Sequence, residues 1–200
     1  MRRPSGTMFE YPPGATPIDA DEAEGLLPGH LTTQTDLNEW EQANIATAAA
    51  WIRTTRLDPF DFLAVKKLHE RMFDRMWSWA GHFRTTEKSI GVAPEEISVR
   101  LRDLLDDGRY RLQNGTFPVR ECALRLHHRL VFVHLFPNGN GRHARLWANW
   151  ILLRAGEPVV DWGGNLGNAG ALRVQYIASL RAADGGDYSP LLELFGASGT

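Results

Sequence analysis

Apolar residues recur at helical spacing over most of the chain. After Asp58-Pro59, Phe62, Val65, Leu68, Met72, Phe73 and Met76 fall on one face, which predicts a helix. Pro94-Glu95-Glu96 reads as the first turn of another, with Ile97, Leu101, Leu104 and Leu105 inward. Pro118 opens a third, where Val119, Cys122, Ala123, Leu126, Leu130 and Val133 form an unbroken stripe. That helix has to stop near His134–Phe136, because Pro137-Asn138-Gly139-Asn140-Gly141 cannot extend it. A further helix is expected from about Gly141 to Arg154, closed by Gly156 and Pro158. Leu172–Ala183 and Ser189–Phe195 supply two more.

Upstream the pattern weakens. Leu37, Ile45, Ala48 and Trp51 give a partly periodic helix that starts after Thr32–Thr35. Residues 1–30, rich in Pro, Gly and acids, read as an extended arm with one helical turn near Asp21–Leu26. Between Gly81 and Pro94, Phe83–Thr86 and Ile90–Ala93 flank the polar Glu87-Lys88-Ser89, which predicts a short β-hairpin. The expected fold class is therefore all-α, a helical bundle with a short β-hairpin, and no internal repeat is visible.

Composition narrows this little. Two hundred residues with 22 basic and 24 acidic side chains suit one domain plus an arm, and exclude a chain that is a polycation throughout. No basic stripe or helix-turn-helix marks a nucleic-acid binder, so no direct nucleic-acid binding is expected. The single cysteine, Cys122, cannot make an intrachain disulfide or a Cys-based zinc cluster. No apolar run approaches the roughly 20 residues that span a bilayer, and the N-terminus lacks the apolar core of a secretory signal, so no membrane association is expected and the cytoplasm is the expected location. Only Lys66, Lys67 and Lys88 are lysines; the other basic residues are arginines, which grip phosphate and carboxylate bidentately.

The chemistry concentrates in His134-Leu135-Phe136-Pro137-Asn138-Gly139-Asn140-Gly141-Arg142-His143-Ala144-Arg145. Here a glycine-bearing loop enters a helix N-terminus, where backbone N–H groups lack partners and the helix dipole is positive. The first turn nevertheless carries Arg142, His143 and Arg145 and no acid. Cations placed there cost roughly 0.3 kcal/mol or more each unless an anion lies among them. A phosphate resolves the conflict and uses the free N–H groups. Arg142 and Arg145 are i, i+3 and share a face. Gly139 and Gly141 allow close backbone approach, and Asn138 and Asn140 hold the loop or ligate a metal. His134, with an ordinary pKa near ~6.5, is a candidate general base. The loop is not a Walker motif, since no Gly-Lys-Ser/Thr follows, nor a dinucleotide fingerprint, since a helix precedes it. His127-His128 and His69-Glu70 lack the partners of a metal site.

These residues resemble the signature of the Fic (filamentation induced by cAMP) domain family, His-x-Phe-x-Asp/Asn-Gly-Asn-Gly-Arg-x-x-Arg, at every fixed position. Trp79–Thr85 and Tyr176–Phe195 extend the resemblance to about residues 56–196. The arm and Leu37–Ile45 are further similar to the bacterial subgroup labelled mobile mystery protein B. The resemblance implies an N-terminal arm with an inhibitory helix over residues 1–55 and a Fic catalytic domain over 56–200. It implies transfer of AMP from ATP to a Tyr, Thr or Ser hydroxyl of a target protein, with ATP and Mg²⁺ required. Under it His134 is the base, and Gly139, Asn140 and Gly141 form the hole for the α- and β-phosphates. Arg142 holds the β-phosphate and Arg145 the γ-phosphate. Asn138 occupies the metal position where Asp is usual, and a neutral amide is the weaker Mg²⁺ ligand. Tyr176 and Asp184 line the base pocket. Thr85, Thr86, Ile90 and Gly91 belong to a hairpin flap that registers the target. Thr35-Asp36-Leu37-Asn38-Glu39 follows the family's inhibitory pattern except that Trp40 replaces Gly or Asn, which makes Glu39 the expected inhibitory carboxylate toward Arg145. Transfer of another nucleotide or phosphate group, removal of AMP, and a catalytically silent nucleotide-binding regulator stay open as alternatives. So does the oligomeric state, a homo-oligomer included.

Overall fold

The computed structural model describes residues 19–28, 34–163 and 170–196, and of Ala20 and residues 34–36, Thr35 among them, the backbone alone. The beginning of the arm, residues 1–18, lies outside the described residues, as do residues 29–33. Among the described residues eight α-helices follow in order: α1 (Ala20–Ala23), α2 (Gln34–Thr54), α3 (Phe62–Phe73), α4 (Ile97–Gln113), α5 (Val119–Val133), α6 (Asn140–Arg154), α7 (Ala171–Asp184) and α8 (Ser189–Phe195), with a 3₁₀ turn, Pro94–Glu96, leading into α4. The all-helical expectation holds.

The stripes of apolar residues become one core. α5 packs against α6 and α4, α2 lies on α3 and α6, and α7 and α8 close against α5. Trp77, Trp147, Trp150, Phe73 and Phe136 are fully buried at its centre. Losing any of these rings would cost about 3–5 kcal/mol. Trp147 donates its Nε1–H to the carbonyl of Pro59 at 2.8 Å, so the polar edge of that ring is satisfied. On α2 the buried residues are Leu37, Glu41, Asn44, Ala48 and Ile52, spaced at i, i+4, i+7, i+11 and i+15. That stripe joins α2 to the core of the other helices.

The expected hairpin is not formed. Residues 83–93 contain no strand, and the sole β-type pairing among the described residues is an antiparallel bridge between Leu26 and Trp77. The physical reason is that the two arms of the segment bond to the end of α5 rather than to each other. Arg84 N–H donates to Leu135 O at 3.0 Å, and Val92 N–H donates to Val133 O. The Arg84 guanidinium then fills the space between the arms, donating to Thr86 O and Val92 O. A side chain thus does the bridging that a ladder of backbone bonds would do in a hairpin.

Candidate active site

α5 ends on His134, whose φ of 57° and ψ of 64° put it in the left-handed region, the only non-glycine residue there among those described. Such a conformation costs on the order of 1 kcal/mol or more for a residue with a Cβ, so the surroundings must hold it. They do. Arg84 is buried and its Nε donates to the His134 carbonyl at 2.7 Å. Gly91 presses so close that a Cβ there would lie 2.6 Å from the Cβ of His134. The flap segment is therefore fastened to the candidate base.

Burial, and then the neighbouring Arg84 charge, push the His134 imidazole down to about 4. At neutral pH it is unprotonated and able to accept a proton.

The loop after His134 is fixed by two side chains. Asn140 folds back on Phe136, its Oδ1 accepting from Phe136 N–H at 2.9 Å and its Nδ2 donating to Phe136 O at 2.7 Å. His69 accepts the Gly81 N–H on Nδ1 at 3.0 Å, so its proton sits on Nε2, which donates to Asn138 O at 3.0 Å. The His69 ring also stacks on Phe136 with centroids 3.7 Å apart. Gly139 then caps α6 at φ 79°, where a Cβ would lie 2.6 Å from the Phe73 ring. Both the torsion and the space demand glycine.

α6 starts with no side-chain cap and no acid in its first turn. The N–H groups of Asn140, Gly141 and Arg142 have no carbonyl four residues back within the helix. Arg142 lies over the Phe73 ring and Arg145 over the Tyr176 ring. Tyr176 is buried, and its hydroxyl lies 3.0 Å from Nε2 of the buried His127. Arg173, one turn before Tyr176 on α7, adds a third guanidinium; its pKa is lowered by burial and by the charges of Arg145 and Arg142.

A carboxylate of α2 faces this cationic group at Arg142. Glu41 of α2 is buried, bonds Arg142 Nη1 through Oε2, and accepts from Trp77 Nε1 at 3.1 Å through Oε1. The expectation placed this role on Glu39 opposite Arg145. Glu39 is exposed, on the other side of α2, and the partner of Glu41 is Arg142. Two residues along a helix turn a side chain through about 200°. Matching a short pattern thus points to a glutamate that faces water, whereas the Leu37–Glu41–Asn44–Ala48 stripe leads to the one paired with Arg142.

The remaining expected residues divide. Gly139, Asn140, Gly141, Arg142 and Arg145 open α6, and Tyr176 of α7 lies under the Arg145 guanidinium. Asp184 lies two turns beyond Tyr176, about 12 Å along α7. It holds His128, accepting at 2.9 Å from Nε2. Thr85, Thr86, Ile90 and Gly91 are exposed on the flap. Arg84, His69, His127 and Arg173 are residues of the site that sequence reasoning missed. No local pattern marks them, because each acts across the fold.

The donor set does not fit a resident Mg²⁺. Asn138 offers one neutral oxygen, and Arg142 Nη2 already donates to it at 3.0 Å. Among the described residues there is no group of three metal-ligating His, Cys, Asp or Glu side chains.

Comparison with known proteins agrees with this arrangement. Residues 59–152 match the model of the Fic/DOC family. The protein adenylyltransferase fic-1 of Caenorhabditis briggsae is 37% identical over 117 residues, 56% of this chain and 22% of that protein. The protein adenylyltransferase Fic of Culex quinquefasciatus is 32% identical over 131 residues, 60% of this chain and 25% of that protein. The chain thus spans about a quarter or less of these curated relatives. Among solved structures, Fic-1 of C. elegans (residues 134–508) superposes with a TM-score of 0.66 at 29% identity, over 86% of this chain and 51% of that one. The BepC protein of Bartonella tribocorum, solved with bound AMPPNP, gives 0.67 at 19% identity over 88% and 96%, a likeness of fold. His134, the Asn138–Gly141 loop and both arginines all lie inside the segment, residues 59–152, that matches the Fic/DOC family model.

Proposed function

We propose that the chain is a protein adenylyltransferase that moves AMP from ATP to a Tyr, Thr or Ser hydroxyl of a target protein. The observation that carries this reading is a neutral His134 held beside an acid-free helix N-terminus bearing Arg142 and Arg145. The curated relatives named above bear that activity in their names.

In the reaction the hydroxyl oxygen attacks the α-phosphorus and its proton passes to the His134 imidazole. The bond from the α-phosphorus to the bridging oxygen breaks, and pyrophosphate leaves. The N–H groups of residues 139–141 receive charge on the α- and β-phosphates, and Arg142 and Arg145 the β- and γ-phosphates. Fixed donors in a water-poor site suit such a transfer, which needs positioning and charge neutralisation above all. Tyr176 and Asp184 bound the space for the base, the latter by holding α7 to α5. Mg²⁺ would enter with the nucleotide's phosphates, Asn138 contributing one oxygen.

The resting state is braked, and Glu41 is the brake, since it already holds the arginine that the phosphates need. The likeness of the arm to the mobile mystery protein B subgroup and action in the bacterial cytoplasm on a protein target complete the proposal.

The test is incubation of the purified chain and a cell lysate with α-labelled or γ-labelled ATP. Label on protein from α-ATP alone is expected, and His134→Ala should abolish it. Label from γ-ATP would mean phosphate transfer, and ATP binding without label a silent regulator.

A further inference from the structure

Residues 19–27 form a strap across the flap. Its rear is fastened by main chain: Leu27 N–H donates to Met76 O at 2.9 Å, and Ser78 N–H to Gly25 O at 2.8 Å. The Trp79 indole donates to Glu22 O at 3.0 Å. These bonds flank a single antiparallel bridge between Leu26 and Trp77, which anchors the strap behind the flap. The front is fastened by charge. Lys88, on the flap and nearly buried, makes 2.7 Å ion pairs with both Asp19 and Glu22, and Thr86 donates to Glu22 at 3.4 Å. A four-residue helix such as α1 does not hold itself together, so these bonds keep the acids in place.

The location gives the contact its meaning. The flap lies directly on His134 through Arg84 and Gly91, and the Lys88 charge is close enough to act on the His134 imidazole. Beside the base, the lysine of a flap that faces outward is taken by two acids from the chain's own arm.

We propose that the strap is an internal stand-in for the target: Asp19 and Glu22 occupy, at Lys88, the place of an Asp or Glu flanking the modified hydroxyl in an extended target segment. The inference rests on the transferase reading and names its substrate class. Asp19 is half exposed, so its pair is weak. Exchange of the arm's carboxylates for a target's keeps the Lys88 ammonium paired, which lowers the cost of displacement. The Lys88 ammonium selects for acid, while main-chain bonding stays indifferent to sequence.

Binding without nucleotide tests this. Fluorescein-labelled Glu-Gly-Tyr-Gly-Glu, with its Gln and Lys counterparts, is titrated by anisotropy into the full chain and into Asp19→Asn/Glu22→Gln. The double variant should bind the Glu peptide about tenfold more tightly than the unaltered chain does, with the Gln peptide unmoved. Adding Lys88→Glu should transfer the preference to the Lys peptide. Equal affinities for the three peptides, or no gain on neutralising the strap, overturn the proposal. Hydrogen exchange on the unaltered chain checks the same point without a variant. Saturating Glu peptide should speed exchange of the Leu27 and Ser78 amides, and a bound peptide that leaves both protected overturns it as well. No transfer is required in either measurement. Acid-selective binding by a chain that never labels protein would refute only the adenylyltransferase reading, and labelling without acid preference only the strap.

Discussion

Glu41 and Glu39 differ by two positions on α2 and by everything in surroundings. Glu41 is buried between Trp77 and Arg142; Glu39 faces water. Glu41→Gly should release Arg142 and raise α-ATP labelling at least about tenfold, a differential of roughly 1.4 kcal/mol in phosphate binding. Glu39→Gly should leave labelling within a factor of two, and nucleotide affinity by calorimetry should follow the same order. The pair also shows what could be read without coordinates. The stretch His134–Arg145 was legible because its chemistry is local: glycines, asparagines and arginines act within one loop and one helical turn. Glu41, Arg84, His69 and Arg173 act on residues far away in sequence, so nothing beside them announces a role.

At the scale of elements, helices were legible because their apolar stripes are long, and the hairpin was not. A hairpin prediction assumes that two short arms pair with each other, but here residues 133–135 offered carbonyls to both. The same competition governs the loop between α5 and α6, where Asn140 rather than a backbone turn closes the chain on Phe136. Asn140→Ala leaves the buried N–H and C=O of Phe136 unsatisfied. A loss of about 2–4 kcal/mol is expected in urea unfolding. Under the proposed transfer, labelling should fall further than stability alone explains, because Asn140 also fixes the loop that opens α6. Asn140→Asp keeps the acceptor for Phe136 N–H and loses the donor, so it should recover part of the stability.

For the whole molecule the buried histidines set the response to acid. Burial lowers His69 well below its ordinary range, His127 to about 3, and His134 and His143 to about 4. Each is neutral in the fold and takes up a proton on unfolding once the pH falls below about 6.5. The unfolded chain therefore binds more protons, and stability rises with pH across the window from about 4 to 6.5. Between pH 7 and 5 the free energy of unfolding should drop by more than about 2 kcal/mol, measurable from urea midpoints. A flat profile over that range would show the imidazoles to be hydrated. Arg84 carries a consequence of another kind. One guanidinium ties the flap's carbonyls to the peptide of His134, so under the proposed transfer the reach from a docked hydroxyl to that imidazole is set by a single buried side chain. The side chains of Thr85, Thr86 and Ile90 are exposed and take no part in that link. Under the same reading, changing them alters which client docks and leaves the distance to His134 as it was.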